Sequence, residues 1–163
     1  MIYSTVLILL CVLSVALTGF GAAVVLFRDS RIDPGQRIRV ANMLVLSLSC
    51  AFFSLVPLIM LAARVPELMA FRASQIMLAA VVSFIVAARF IPSYRLNRGR
   101  ITDFTLFLLS IVLLLGTAIL QVVSAIDDQS AMASYMTGVT TLVIVAGIAF
   151  YRVVAAAMQG DDA

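Results

Sequence analysis

The chain is 163 residues long, 64% hydrophobic and 12% charged. A soluble domain of this size carries roughly 45–50% apolar and about 25% charged residues, so both departures point to lipid as the solvent. The net charge of +3 comes from eleven Arg with no Lys. These Arg lie between apolar runs, where membrane topology explains them and nucleic acid is not expected as a partner.

Five charge-poor runs follow in chain order, each judged against the roughly 20 residues that span a hydrocarbon core of about 30 Å. The first covers residues 2–27. Its opening, Met1-Ile2-Tyr3-Ser4-Thr5, has no Lys or Arg. The apolar run also exceeds the about 7–15 residues of a signal-peptide core, so a retained first helix is expected. The segment up to Arg39 holds Asp33-Pro34-Gly35, a turn signal. The second run covers residues 40–63, and Pro57 inside it predicts a kink that frees a backbone carbonyl near Phe53.

The third run covers residues 67–91, with Arg72 and Arg89 able to snorkel and Pro66 and Pro92 as brackets. The fourth covers residues 101–126, between Arg95, Arg98 and Arg100 on one flank and Asp127-Asp128 on the other. The fifth covers residues 130–154. Short connections between consecutive runs predict antiparallel neighbours. The expected fold is an all-α integral membrane protein, an up-down bundle of five transmembrane helices forming a single domain over residues 1–163.

Arg28, Arg31, Arg37, Arg39, Arg95, Arg98 and Arg100, with Arg89 and Arg152 at the edges, fall on one side; only Arg64 and Arg72 fall on the other. The positive-inside rule makes the Arg-rich side cytoplasmic, with the N-terminus outside and the C-terminus inside, in a bacterial-type inner or plasma membrane. Tyr3 and Tyr135 are expected at the outer interface, Tyr94 and Tyr151 at the inner one.

Three constellations stand out. On the fourth helix Thr117, Gln121, Ser124 and Asp128 recur at helical spacing, forming a polar face that Ser134, Thr137, Gly138 and Thr141 of the fifth helix can meet. That face predicts either helix-to-helix hydrogen bonding or a polar crevice for a solute. On the first two helices Ser14, Thr18 and Gly21, and Ser47, Cys50 and Ser54, make seams of small residues that let backbones approach closely. Arg89 and Asp103 are expected to form an ion pair between helices three and four.

Cys11 and Cys50 match no metal or redox spacing and read as packing residues. His is absent, as are a nucleophile elbow, a phosphate-binding Gly-rich loop and a pair of intramembrane carboxylates. No catalytic residue, metal or cofactor is therefore expected. The predicted role is a non-catalytic subunit acting through helix contacts, with the lipid bilayer and a membrane-protein partner or second copy as its partners. The alternative is a small transporter or channel subunit using the Gln121 face.

Overall fold

A computed structural model of the chain describes the backbone of residues 2–26, 34–90, 101–126 and 131–158, and the side chains of 4–23, 37–90, 104–126 and 131–155. The described residues are helical apart from the connection at 63–66. Helix α1 is Ile2–Leu26, α2 Pro34–Ala62, α3 Glu67–Ile85, α4 Ile101–Ile126 and α5 Ala131–Met158, with a single π-helical turn, Val86–Phe90, extending α3. Among the described residues five helices are long and apolar enough to cross a membrane.

Two boundaries differ from the sequence reading. Helix α2 begins at Pro34, not near residue 40. Proline lacks the N–H that a first helical turn leaves unpaired, and its fixed φ suits that turn, so Pro34-Gly35 opens a helix where a turn was expected. Helix α5 runs on to Met158, past the expected end at residue 154. Ala155-Ala156-Ala157 favour this, Ala having the highest helix propensity.

The connection between α2 and α3 is built from backbone. Arg64 adopts φ 62°, and its N–H donates to the Leu61 carbonyl while that of Val65 donates to Met60, both at 3.0 Å. This crossed pair of bonds is the Schellman arrangement, which satisfies carbonyls at a helix end. Pro66 then precedes α3, and its carbonyl accepts from Ala70 N–H at 2.9 Å.

Leu7, Leu46, Leu78, Leu114 and Leu142, one from each helix, are fully buried in one core cluster. The outward surface is equally greasy: Phe20, Ile59, Phe84, Val112 and Ile126 are all more than half exposed. A water-soluble bundle would carry charge there; a hydrocarbon surround accepts it.

Helix α5 is the centre of the bundle and packs on all four others. Its buried residues Tyr135, Val139, Leu142, Ala146 and Val153 recur at three-, four- and seven-residue steps, the repeat of helices packed side by side. Helices α1 and α2 pair on one flank of α5 and α3 and α4 on the other.

Contacts fix the alternation of direction. A Cβ at Gly21, late in α1, would overlap the end of the Met43 side chain, early in α2. Phe90, at the end of the α3 extension, stacks on Phe107, early in α4, at 5.6 Å between ring centroids. The hydroxyl of Tyr135, early in α5, reaches the carbonyl of Phe53, late in α2. Successive helices thus run up and down, as the short connections predicted.

Candidate functional site

Two polar regions interrupt the apolar interior, one toward each end. At the end formed by late α2, early α3, late α4 and early α5, the hub is Gln75, a fully buried side chain on α3. Its Nε2 donates to the Ala131 carbonyl at 2.8 Å and to Ser134 Oγ at 2.5 Å, with Ser124 Oγ at 3.1 Å. Ser134 Oγ donates in turn to Ser124 Oγ at 2.6 Å, and Ser124 Oγ to the Leu120 carbonyl at 2.7 Å. One amide thereby ties α3 to α4 and α5 together, in surroundings where few competing donors exist.

Gln121, also fully buried, sits one turn deeper on α4 and donates from Nε2 to the Ser134 carbonyl at 2.7 Å. Gly138 makes room for it, since a Cβ there would overlap the Gln121 amide. Oε1 of both Gln75 and Gln121 is buried with no hydrogen-bond partner among the described residues.

Of the polar face expected on α4, Gln121 and Ser124 are brought together with Ser134. Thr117 is buried but spends its hydroxyl on the Leu113 carbonyl of its own helix, at 2.8 Å. Asp128 lies outside the described residues. On α5, Ser134 and Gly138 face the network as expected. Thr137 and Thr141 instead bond back to the carbonyls of Ala133 and Thr137, at 2.9 and 2.8 Å, from outward positions. Gln75 was missed, although it carried the signal that singled out Gln121, an uncharged amide inside an apolar run.

Tyr135, expected in an aromatic belt at the outer boundary, is fully buried among the helices and not turned toward the surroundings. Pro57 has no N–H to offer the carbonyl four residues back, and the Tyr135 hydroxyl supplies the missing donor to that carbonyl, on Phe53. Helix α2 continues through Pro57. The freed carbonyl was thus expected, and its partner is a side chain of α5. Tyr151 is exposed, whereas the side chains of Tyr3 and Tyr94 lie outside the described residues.

The small-residue seams are internal. Ser14 is buried and donates to the Leu10 carbonyl at 2.7 Å, and Thr18 to Ser14 at 2.9 Å. Leu7, Ser14 and Gly21 recur every seven residues as the buried line of α1. On α2, Ser47, Cys50 and Ser54 are fully buried. Cys50 Sγ approaches the Val139 carbonyl of α5 at 3.6 Å, and Ser54 Oγ bonds to the Cys50 carbonyl at 2.8 Å. Both Cys11 and Cys50 are free thiols.

At the opposite end, early α2, the π-helical turn, early α4 and late α5 enclose a small cavity of about 20 Å³. Arg39, Asn42, Phe90, Ser110 and Arg152 line it together with Ile38 and Ala149. Arg152, read from the sequence as a residue closing α5 at the membrane surface, is only 7% exposed. Its guanidinium lies over the Phe107 ring at 5.6 Å from the centroid, a cation–π distance. The expected partner of Arg89, Asp103, has its side chain outside the described residues, and Arg89 itself is exposed.

Compared with family models, with curated proteins and with solved structures, the chain matches none. By class it is a helical bundle with five helices long and apolar enough to span a membrane.

Proposed function

We propose that the chain is a non-catalytic membrane-embedded subunit that works by docking a transmembrane helix of a partner protein or of a second copy. The observation that carries this reading is where the polar groups and the small residues fall. Gln75, Gln121, Ser124 and Ser134 are consumed inside the bundle. On the outside, Ala79, Ala80 and Ser83 of α3 and Ala125 of α4 form the floor of an apolar groove of about 510 Å³ between the two helices. Small residues at such spacing let a further helix approach closely, and in lipid that close packing, not hydrophobic burial, drives helix association.

The Arg-rich end, with Arg37, Arg39, Arg89 and Arg152, is assigned to the cytoplasm by the positive-inside rule. With an odd number of spans, this puts the N-terminus outside in a bacterial-type inner or plasma membrane. Ala80→Leu fills the groove without touching the Gln75 network. Extraction in mild detergent followed by mass spectrometry is expected to retain a partner or a second copy with the native chain and to lose it with A80L. A native chain that is monomeric and free of any stoichiometric partner under those conditions would falsify the reading.

One observation favours a second reading, a transporter or channel subunit: Oε1 of Gln75 and of Gln121 are two buried acceptors without partners. Gln121→Leu separates the two. Lost flux with an intact fold supports the solute path, and a change of stability alone supports hydrogen bonding between helices.

A further inference from the structure

We infer that the partner seated in the α3–α4 groove is a second copy of this chain, paired about a twofold axis along the membrane normal with α3 against its own counterpart. The inference rests on the docking reading above and narrows it to one partner. Insertion follows charge, so two copies enter the membrane the same way up, and a twofold between them can only lie along the normal. Each helix then meets its counterpart running in the same direction. Parallel helices that pack side by side need a seam repeating at alternate steps of four and three residues.

Helix α3 carries such a seam on its outward face. Met69, Ala73, Ile76, Ala80 and Ser83 follow one another at steps of four, three, four and three. Met69 and Ile76 are 64% and 61% exposed, Ala80 and Ser83 are exposed, and Ala73 is half-buried. The seam stops where the π-helical turn begins at Val86 and brings Phe90 back onto Phe107 inside the bundle. Ala80 and Ser83 also floor the groove, whose far wall is Val122, Ala125 and Ile126 of α4. The second copy's α3 lies on the seam of the first and beside its α4, and the twofold repeats the arrangement. Both sides of the contact come from one surface, as an isologous interface requires.

Two features favour a second copy over an unrelated helix. Ser83 is the polar residue of the groove lining. A hydroxyl donates and accepts at once, so a serine beside a twofold axis can bond to its own counterpart, whereas a charged residue there would meet its like. At the start of α3, Arg64 and Glu67 are both exposed, three residues apart and of opposite sign. Counterparts meeting there can set opposite charges side by side, so the same end of two copies is not repelled.

The test is disulfide cross-linking in native membranes with Cys11→Ala and Cys50→Ala as background. Ser83→Cys treated with copper phenanthroline is expected to give linked dimer in at least tenfold excess over Ile59→Cys and Val112→Cys, exposed positions on α2 and α4. Adding Ala80→Leu, on the lipid-facing side of α3, is expected to lower that dimer at least tenfold. Co-expressed chains carrying two different affinity tags are expected to co-purify in mild detergent, and A80L chains are not. Equal cross-linking at all three positions, cross-linking untouched by A80L, or recovery of each tag alone overturns the pairing, whether the groove then holds lipid or another polypeptide. Ala80-dependent retention of a different polypeptide overturns the second copy and leaves the docking reading standing. A chain that retains neither removes both.

Discussion

The Tyr135 hydroxyl reaches a carbonyl that exists as a free acceptor only because residue 57 is proline. Buried in a medium without water, that carbonyl loses about 1–3 kcal/mol if left alone. Tyr135→Phe removes the donor and keeps the ring, which packs edge-on against Phe71 at 5.8 Å and an interplanar angle of 69°. Its expected effect is a loss of stability of about 1–3 kcal/mol. Adding Pro57→Ala restores an N–H four residues after Phe53, so in that background the same Tyr135→Phe change is expected to cost less than about 1 kcal/mol. Equilibrium unfolding of the four chains of this cycle measures the difference. Equal losses in both backgrounds would mean that the hydroxyl acts on something other than the proline-freed carbonyl. The need for a donor near Phe53 was legible in the sequence, since it follows from one proline in a helix. The identity of the donor was not: Tyr135 lies 82 positions away, and only the packing of α5 against α2 brings it there.

Helices α3, α4 and α5 are held by polar bonds that need a close approach of α4 to α5 at Gly138. A Cβ at that position would meet the amide carbon of Gln121 and, at 3.0 Å, Cδ2 of Leu78. Gly116 on α4 and Gly147 on α5 have nothing within 4 Å. Gly138→Ala is therefore expected to destabilise, by about 1–3 kcal/mol, through overpacking and loss of the Gln121 bond to Ser134. Gly116→Ala and Gly147→Ala are expected to be neutral or to stabilise by up to about 1 kcal/mol, the helix-propensity gain of Ala over Gly. Chemical denaturation of the three variants checks the contrast; a Gly138→Ala chain as stable as the other two would show that the helices have room to separate. The element scale also marks where sequence patterning reaches its limit. Run lengths and charges located all five helices, because lipid thickness sets length and hydrogen-bond satisfaction demands helix. Rotation about each axis was only partly readable, since exterior and interior are both apolar. Serine and threonine were ambiguous for a related reason, because back-bonding within a helix satisfies Thr117, Thr137 and Thr141 without any neighbour. Glutamine, whose amide is more demanding, was the more reliable marker.

For the whole molecule, contacts fix which helix ends lie together but leave the bundle free to be inserted either way up. One end gathers Arg37, Arg39, Arg89 and Arg152; the other carries Arg64, Arg72 and the exposed Glu67. Arginine near helix ends biases insertion because cytoplasmic retention of positive charge is strongly preferred over its translocation, whereas acidic residues count for little. Helices α2 to α5 are joined by short connections, so once one of them is oriented the rest must follow. The predicted orientation puts residues 36 and 97 in the cytoplasm and residue 129 outside. In a background carrying Cys11→Ala and Cys50→Ala, single Gln36→Cys, Asn97→Cys and Gln129→Cys variants are treated with a membrane-impermeant thiol reagent on intact cells. Gln129→Cys is expected to react from outside, and the other two only after the cells are opened. The reverse pattern would invert the bundle and put the Arg-rich end outside. Reaction at both Gln36→Cys and Gln129→Cys in intact cells would be a different failure. It requires an odd number of crossings between α2 and α5 to be replaced by an even one, which the contacts of Phe53 with Tyr135 and of Arg152 with Phe107 do not permit.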